Sequence, residues 1–176
     1  VGNPAVKQCT PVKLFVGMIS SQKKAFIQAE AILEKKYGPA DFKTVFIKFD
    51  FTDYYEQELG KNLLRKFISF KNLIDPGTLP DIKIFTNKKE YALSPVKGKR
   101  LINLDPGYIT ESGLVLATTK NFQHRIYLNK GIFAEVTLRY QRGEYLPYDW
   151  TYRDYQTKAY TDFFKKVRKI YKEQLT

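Results

Sequence analysis

Four short stretches of alternating character, near 99–105, 113–120, 124–129 and 132–140, fill the second half of the chain. Turn-forming residues separate them: Asp105-Pro106-Gly107, Glu111-Ser112-Gly113, Asn121-Phe122-Gln123 and Asn129-Lys130-Gly131. A side-chain period of two, broken by turns this closely spaced, predicts an antiparallel meander of four strands. Whatever the first half does, it must pack on that sheet.

The first half reads as strand, helix, strand. Residues 12–18 place Val12, Leu14, Val16 and Met18 on one face of a strand. Ser20 or Ser21 can cap a helix with apolar positions Phe26, Ala29, Leu33 and Tyr37, closed by Gly38-Pro39. Residues 44–51 alternate again, which is compatible with a right-handed crossover. Asp53 with Glu56 resembles a capping box. It predicts a helix from about 52 to 74 that buries Tyr55, Leu59, Leu63, Phe67, Phe70 and Ile74, ended by Asp75-Pro76-Gly77. A shorter helix is expected at 80–93, a basic linker at 94–100, an irregular aromatic segment at 145–155 and a final helix at 154–174. That last helix would bury Tyr160, Phe163, Phe164, Val167 and Ile170. No repeat or low-complexity tract interrupts the chain. The expected fold is one α+β domain over 1–176. Its sheet is mixed but largely antiparallel, an N-terminal strand–helix–strand unit plus the C-terminal meander, and helices cover it.

Composition narrows the partners. The chain has 30 Lys and Arg against 18 Asp and Glu, a net charge of +12, which favours polyanionic partners: RNA, nucleotides or phosphorylated metabolites. With 13 Phe and 13 Tyr in 176 residues there is ample material for a core, so disorder is not expected. No apolar run approaches the ~20 residues that cross a bilayer. The opening Val-Gly-Asn-Pro-Ala-Val-Lys lacks the order of a secretion signal, and a lone Cys9 suits a reducing compartment, so a cytoplasmic location is expected.

The single histidine, His124, precedes Arg125 in the hairpin 124–138, and register decides where both point. A two-residue Lys130-Gly131 loop pairs Asn129 with Ile132 and sets Glu135 opposite Ile126. A three-residue loop pairs Leu128 with Ile132 and gathers His124, Ile126, Leu128, Ile132, Ala134, Val136 and Leu138 on one apolar face. The second explains the pattern better. It puts Arg125 opposite Glu135 on the other face, with His124 at the margin of the apolar one. The Arg125–Glu135 pair is either ordinary sheet stabilisation or a rigid mount for an arginine that binds phosphate or carboxylate. His124 is either incidental or a proton-transfer group, since imidazole titrates near neutrality.

Lys120 ends the preceding strand. With Thr118, Thr119, Asn121, His124 and Arg125 it gathers donors suited to an anion at one end of the sheet. Asn103, Asp105 and Tyr108 bracket the expected Asp105-Pro106-Gly107 turn, and Arg100, Asn103 and Thr119 join Lys120 and Arg125 as candidate anion-binding residues. On the last helix, Lys165, Arg168, Lys169 and Lys172 share a side with Lys166 near. That stripe is either a solvated basic face or, with Lys97, Lys99 and Arg100, a contact for a phosphate backbone. Tyr148, Trp150, Tyr152 and Tyr155 either stack on bases or clamp the final helix, the latter being the better reading for Trp150. One His and one Cys are too few for a zinc or iron site. Helix capping already explains Asp53 and Glu56 in the acidic group with Asp50 and Glu58. No motif names a cofactor, and nothing in the sequence reports the oligomeric state.

At Arg100-Leu-Ile-Asn-Leu-Asp-Pro-Gly-Tyr108, Ala117-Thr-Thr-Lys-Asn121, His124-Arg-Ile-Tyr-Leu128 and Gly131-Ile-Phe-Ala-Glu135 the sequence resembles a bacterial family of uncharacterised proteins, domain of unknown function 4416. The likeness extends to Phe51-Thr-Asp-Tyr-Tyr-Glu-Gln-Glu-Leu-Gly60 and Trp150-Thr-Tyr-Arg-Asp-Tyr155. Arg153 stands where the family pattern has proline. The resemblance implies no activity, although some members carry a GTP-binding label. The residues here do not support that label: there is no Gly-x-x-x-x-Gly-Lys-Ser/Thr loop, and Asn87-Lys88-Lys89-Glu90 falls in an expected helix.

Two functional classes follow, with an aromatic interaction surface as a third. One is a binder of RNA or nucleotide, using the basic surface and the Lys120/His124/Arg125 corner. The other is a small enzyme acting on a phosphorylated or acidic substrate. There His124 moves the proton, Lys120 and Arg125 clamp the anion, and Asp105 or Glu135 orients.

Overall fold

A computed structural model describes residues 8–176; the opening segment examined for a secretion signal lies outside the described residues. The described residues build a nine-stranded open sheet on which four helices are laid. Its centre is β1 (Val12–Ser20), whose nine residues are all buried. Continuous burial follows from cover on both faces. Leu14, Val16 and Met18 meet Phe26, Ala29 and Leu33 of α1 (Lys23–Tyr37) and Ile82 of α3 (Leu79–Ala92). On the opposite face Phe15 meets Phe164 and Val167 of α4 (Lys158–Leu175).

Strand order across the sheet is β2 (Ala40–Lys43), β4 (Leu64–Ile74), β1, β5 (Asn103–Ile109), β6 (Gly113–Thr118), β8 (Ile132–Gln141) and β7 (Arg125–Asn129). The two-residue β3 (Ile47–Lys48) adds to β4, and β9 (Glu144–Pro147) adds to β8. Every pairing is antiparallel. The α+β class and the largely antiparallel sheet therefore hold, but the parallel crossover expected between the first two strands does not form. β4 lies between β1 and β2 instead.

β4 is also the main correction. The helix expected over 52–74 is a four-residue helix, α2 (Glu56–Leu59), followed by an eleven-residue strand. Leu59, Leu63, Phe67, Phe70 and Ile74 fall at three- and four-residue spacing and imitate a helix. Gly60 and Asn62, both with positive φ (86° and 58°), break the chain between the two elements. The segment 44–51, expected as one strand, pairs only at Ile47–Lys48. Asp105-Pro106-Gly107 is not a turn; it lies inside β5, paired to β1, and the reversal comes at Thr110–Gly113. In α4, Tyr171 is buried where Ile170 was expected.

The β7–β8 hairpin combines both registers considered above. Lys130 and Gly131 form a two-residue loop, both with positive φ (51° and 77°), and Asn129 faces Ile132. An extra residue at Leu128 then restores the pairing of Arg125 with Glu135. The face expected to be apolar is only partly covered: Ile132 and Leu138 are buried, whereas Ile126 is 68% accessible and Leu128 and Val136 are also open. No helix among the described residues is long and apolar enough to cross a membrane.

Candidate functional site

One sheet face carries a polar row through the otherwise apolar layer beneath α4. β4 contributes Arg65, β5 Asp105, β8 Glu135 and β7 Arg125. Arg65 reaches across β1 because the residue between is Gly17, paired with Asp105 on one side and Phe67 on the other. A Cβ at Gly17 would sit 3.0 Å from Arg65 Nη1 and 2.9 Å from the Phe67 ring. Glycine is thus required by the close approach of the guanidinium.

The inner end of this row lines a cavity of about 420 Å³. Its floor is Arg65, Asp105, Leu116, Asp154 and Tyr155; its walls are Phe49, Phe51, Tyr54 and Tyr55 on one side and Tyr152 on the other, and Lys120 and Arg153 stand exposed at the rim. Arg65 is 3% accessible. Its Nε donates to the Tyr160 hydroxyl and its Nη2 to Asp154 Oδ2, both at 3.0 Å. Nη1 lies 3.6 Å from Asp105 Oδ2 and has no hydrogen-bond partner. Burial disfavours the Arg65 charge, but the surrounding phenols with Asp154 and Asp105 more than restore it, and the guanidinium pKa goes up. Burial pushes the Tyr160 phenol up to about 12 and the Tyr155 phenol well up. Tyr155 Oη, too, is buried without a partner.

Asp105 keeps a quarter of its side chain accessible. Asn103 Nδ2 donates to its Oδ2 at 2.6 Å, and Lys83 Nζ lies 3.6 Å from Oδ1. Asn103 in turn accepts from Arg100. Arg100 is occupied: Glu58 takes its Nε and Nη2 at 2.8 and 2.6 Å, and Glu90 takes Nη1 at 3.0 Å. The Arg100 bond holds the Glu58 carboxyl below its ordinary value, whereas burial raises that of Glu90. Arg100 therefore ties α2, α3 and β5 together, and an anion there would meet two carboxylates.

At the outer end, His124 and Arg125 share one carboxylate. Glu135, 2% accessible, meets His124 Nε2 at 3.0 Å and accepts from Arg125 Nε at 2.9 Å. The expectation that His124 and Arg125 face opposite ways is thus overturned. The strand begins at Arg125, so strict alternation does not extend back to His124, and the turn 122–125 swings the imidazole onto the Arg125 side. The ring is sandwiched against Trp150 (5.0 Å, 14°), whose other face stacks on Tyr148 (4.6 Å, 5°). Trp150 is not a core clamp. It lies at the surface and donates to Val136 O at 2.9 Å, and both faces of its indole are taken.

The two ends are joined. Arg125 Nη1 donates to Lys120 O at 3.1 Å and Nη2 to the Tyr152 hydroxyl at 3.0 Å, and Lys120 and Tyr152 both line the cavity. Lys120 Nζ donates to the Tyr54 hydroxyl at 3.3 Å across the rim. Of the five residues that sequence reading grouped, Asp105 and Lys120 face the cavity, while His124, Arg125 and Glu135 stand behind it.

The remaining candidates are scattered. Thr119, Lys97 and Lys99 are exposed and do not line the cavity. Lys165 pairs with Glu144 at 2.5 Å, and Arg168 donates to Glu111 O while covering the Tyr140 ring at 3.7 Å. Lys169 and Lys172 are exposed on the same helix. Tyr108 packs with Ala117 and Ile132 beside α3, away from the cavity. Asn87-Lys88-Lys89-Glu90 is helical, its Glu90 accepting from Leu104 N. Of the acidic group, Glu58 is held by Arg100 and Asp50 by Lys48. Among the described residues no three His, Cys, Asp or Glu side chains gather to hold a metal ion.

The profile of the family described as Domain of unknown function (DUF4416) matches residues 10–171. The chain belongs to that family. No curated protein and no solved structure matches this family member. Arg65 and Asp154 were not singled out from the sequence because their segments were assigned to a helix and to an irregular stretch, whereas Tyr152 and Tyr155 were named as possible stacking residues. The glycine at 60, inside the expected helix, was the one available signal.

Proposed function

We propose that this protein binds a small phosphorylated ligand in the cavity between β4, β5 and the segment before α4. One observation carries the reading. Among the described residues, Lys120 and Arg153 are the cavity-lining cations that have no carboxylate within ion-pair distance, and both stand exposed at its rim. An anion entering there gains two cations without breaking an ion pair; Lys120 gives up at most its bond to the Tyr54 hydroxyl. The +12 net charge adds long-range attraction.

The cavity volume suits one small molecule, within the roughly 300–1,000 Å³ of typical ligand sites. A single mononucleotide or phosphorylated metabolite therefore fits better than an RNA strand. The cations suggested for a nucleic-acid backbone lie apart from it, and Lys165 and Arg168 are engaged within the fold. In this reading His124 and Glu135 are positioning residues. They fix Arg125, which fixes Tyr152 and the Lys120 backbone.

Calorimetric titration with phosphorylated compounds at several salt concentrations tests the reading. Affinity should fall as salt rises, and Lys120→Ala with Arg153→Ala should weaken binding by about tenfold or more, as loss of two charge-assisted contacts implies. Binding indifferent to salt and to both substitutions contradicts it.

A further inference from the structure

The cavity is polar in a directional way. At the floor, Arg65 faces Asp105 and Asp154, and Lys83, which does not line the cavity, approaches Asp105 at 3.6 Å, so the net formal charge of these four groups is zero. The rim carries Lys120 and Arg153 without compensation. A phosphorylated ligand is therefore oriented with its phosphate outward and an uncharged portion inward.

The floor specifies that inner portion further. Two buried polar atoms there have no hydrogen-bond partner, Arg65 Nη1 and Tyr155 Oη. Both are donors at neutral pH: the guanidinium is charged, and burial keeps the phenol protonated. Buried donors without acceptors are rare in folded proteins, and each calls for a specific explanation, of which a role in the site is one. Beside them is an acceptor, Asp105, whose carboxylate remains partly open to the cavity. An inner edge that offers an acceptor next to an N–H donor matches this set.

The walls specify shape. Aromatic side chains come from two segments distant in sequence, Phe51, Tyr54 and Tyr55 before β4 and Tyr152 before α4. Neighbouring wall rings meet edge-on or tilted: Tyr54 and Tyr55 at 89°, Phe49 and Phe51 at 59°. None of these rings is stacked face to face on another. A flat ring can take the stacking that the walls do not make among themselves. Trp150 differs in being stacked on two other rings, whereas among the wall rings Tyr54 is covered by Lys120 and Phe49 by Arg65 and neither is stacked on a ring.

We infer that the ligand is a nucleotide: a flat nitrogen heterocycle seated on Asp105, Arg65 and Tyr155 between the aromatic walls, with its phosphate at Lys120 and Arg153. The inference rests on the cavity's being the site of a phosphorylated ligand, and it adds the ring. The test is a titration of the whole chain with the common nucleoside 5′-monophosphates, ribose 5-phosphate and inorganic phosphate. At least one nucleotide should bind roughly tenfold or more tightly than ribose 5-phosphate, the contribution of about one stacked base. Tyr155→Phe removes a hydroxyl that makes no internal hydrogen bond, so the variant should fold normally. In it and in Asp105→Asn the ratio of nucleotide to ribose 5-phosphate affinity, compared within each variant, should fall. Equal affinity for nucleotides and ribose 5-phosphate overturns the ring while leaving the anion site standing. No binding by any of the compounds overturns both. A nucleotide preference undiminished in Tyr155→Phe and Asp105→Asn overturns the assignment of the floor.

Discussion

The two ends of the polar row use similar groups to opposite effect. At the outer end, Glu135 is enclosed by His124, Arg125 and Thr137 and does not line the cavity. At the inner end, Arg65 keeps one nitrogen unbonded, Tyr155 keeps its hydroxyl unbonded, and Asp105 stays partly open. Satisfied networks rigidify, whereas unsatisfied ones store binding capacity. The residues most conspicuous in the sequence thus stand behind the cavity, and the proposed site lies one layer inward.

The largest expected difference between the ends is in stability. Arg65→Met leaves Asp154 and Asp105 without their buried cation. It should cost on the order of 3–5 kcal/mol in urea denaturation, the usual penalty for breaking a buried pair. A loss below about 1 kcal/mol would mean that solvent reaches the floor freely.

Glu135→Gln should cost less, about 1.5–3 kcal/mol, because the amide keeps the shape and loses the charge-assisted bonds. Its effect on ligand affinity should come only through Tyr152 and Lys120, and so be smaller than that of Lys120→Ala. If Glu135→Gln abolishes binding while Lys120→Ala spares it, the roles of the two ends are exchanged.

Alkaline pH gives a third contrast. Burial raises Tyr160 from 10.0 to about 12 and raises Tyr155 as well. The folded state therefore holds these protons after the unfolded chain has released them. Their stabilisation is complete below pH 10 and is lost as pH climbs through 12. Circular dichroism between pH 9 and 12 should show the loss, reduced in Tyr160→Phe. A flat profile would place these phenols in contact with water.

The meander was legible because an edge sheet with one solvated face keeps a period of two, as in Arg125, Tyr127, Phe133 and Glu135. β4 was not. It lies beside the fully buried β1 and is covered on both faces, so its apolar residues lose alternation, and Leu63, Phe67 and Phe70 fall at helical spacing by coincidence. Misreading that strand removed Arg65 from view. Asp105 was visible as a residue but was placed in a turn, since Asp-Pro-Gly ordinarily reverses a chain. In β5 the same tripeptide serves close packing, with Gly107 pressed against Val115 and Phe15. The His124–Arg125 neighbourhood was found by its chemistry, and its geometry depended on where the strand starts.

The chain has one tryptophan and one histidine, both at the outer end, so each end can be watched separately in one experiment. A two-dimensional amide NMR titration of the ¹⁵N-labelled protein with a nucleoside monophosphate is the most direct test. Signals of Asp105, Lys120, Arg153 and Tyr155 should move to saturation, while the Trp150 indole N–H, held on Val136 O, stays in place. Shifts centred on Trp150 and His124, with the cavity residues unmoved, would contradict the assignment of the site to the inner end.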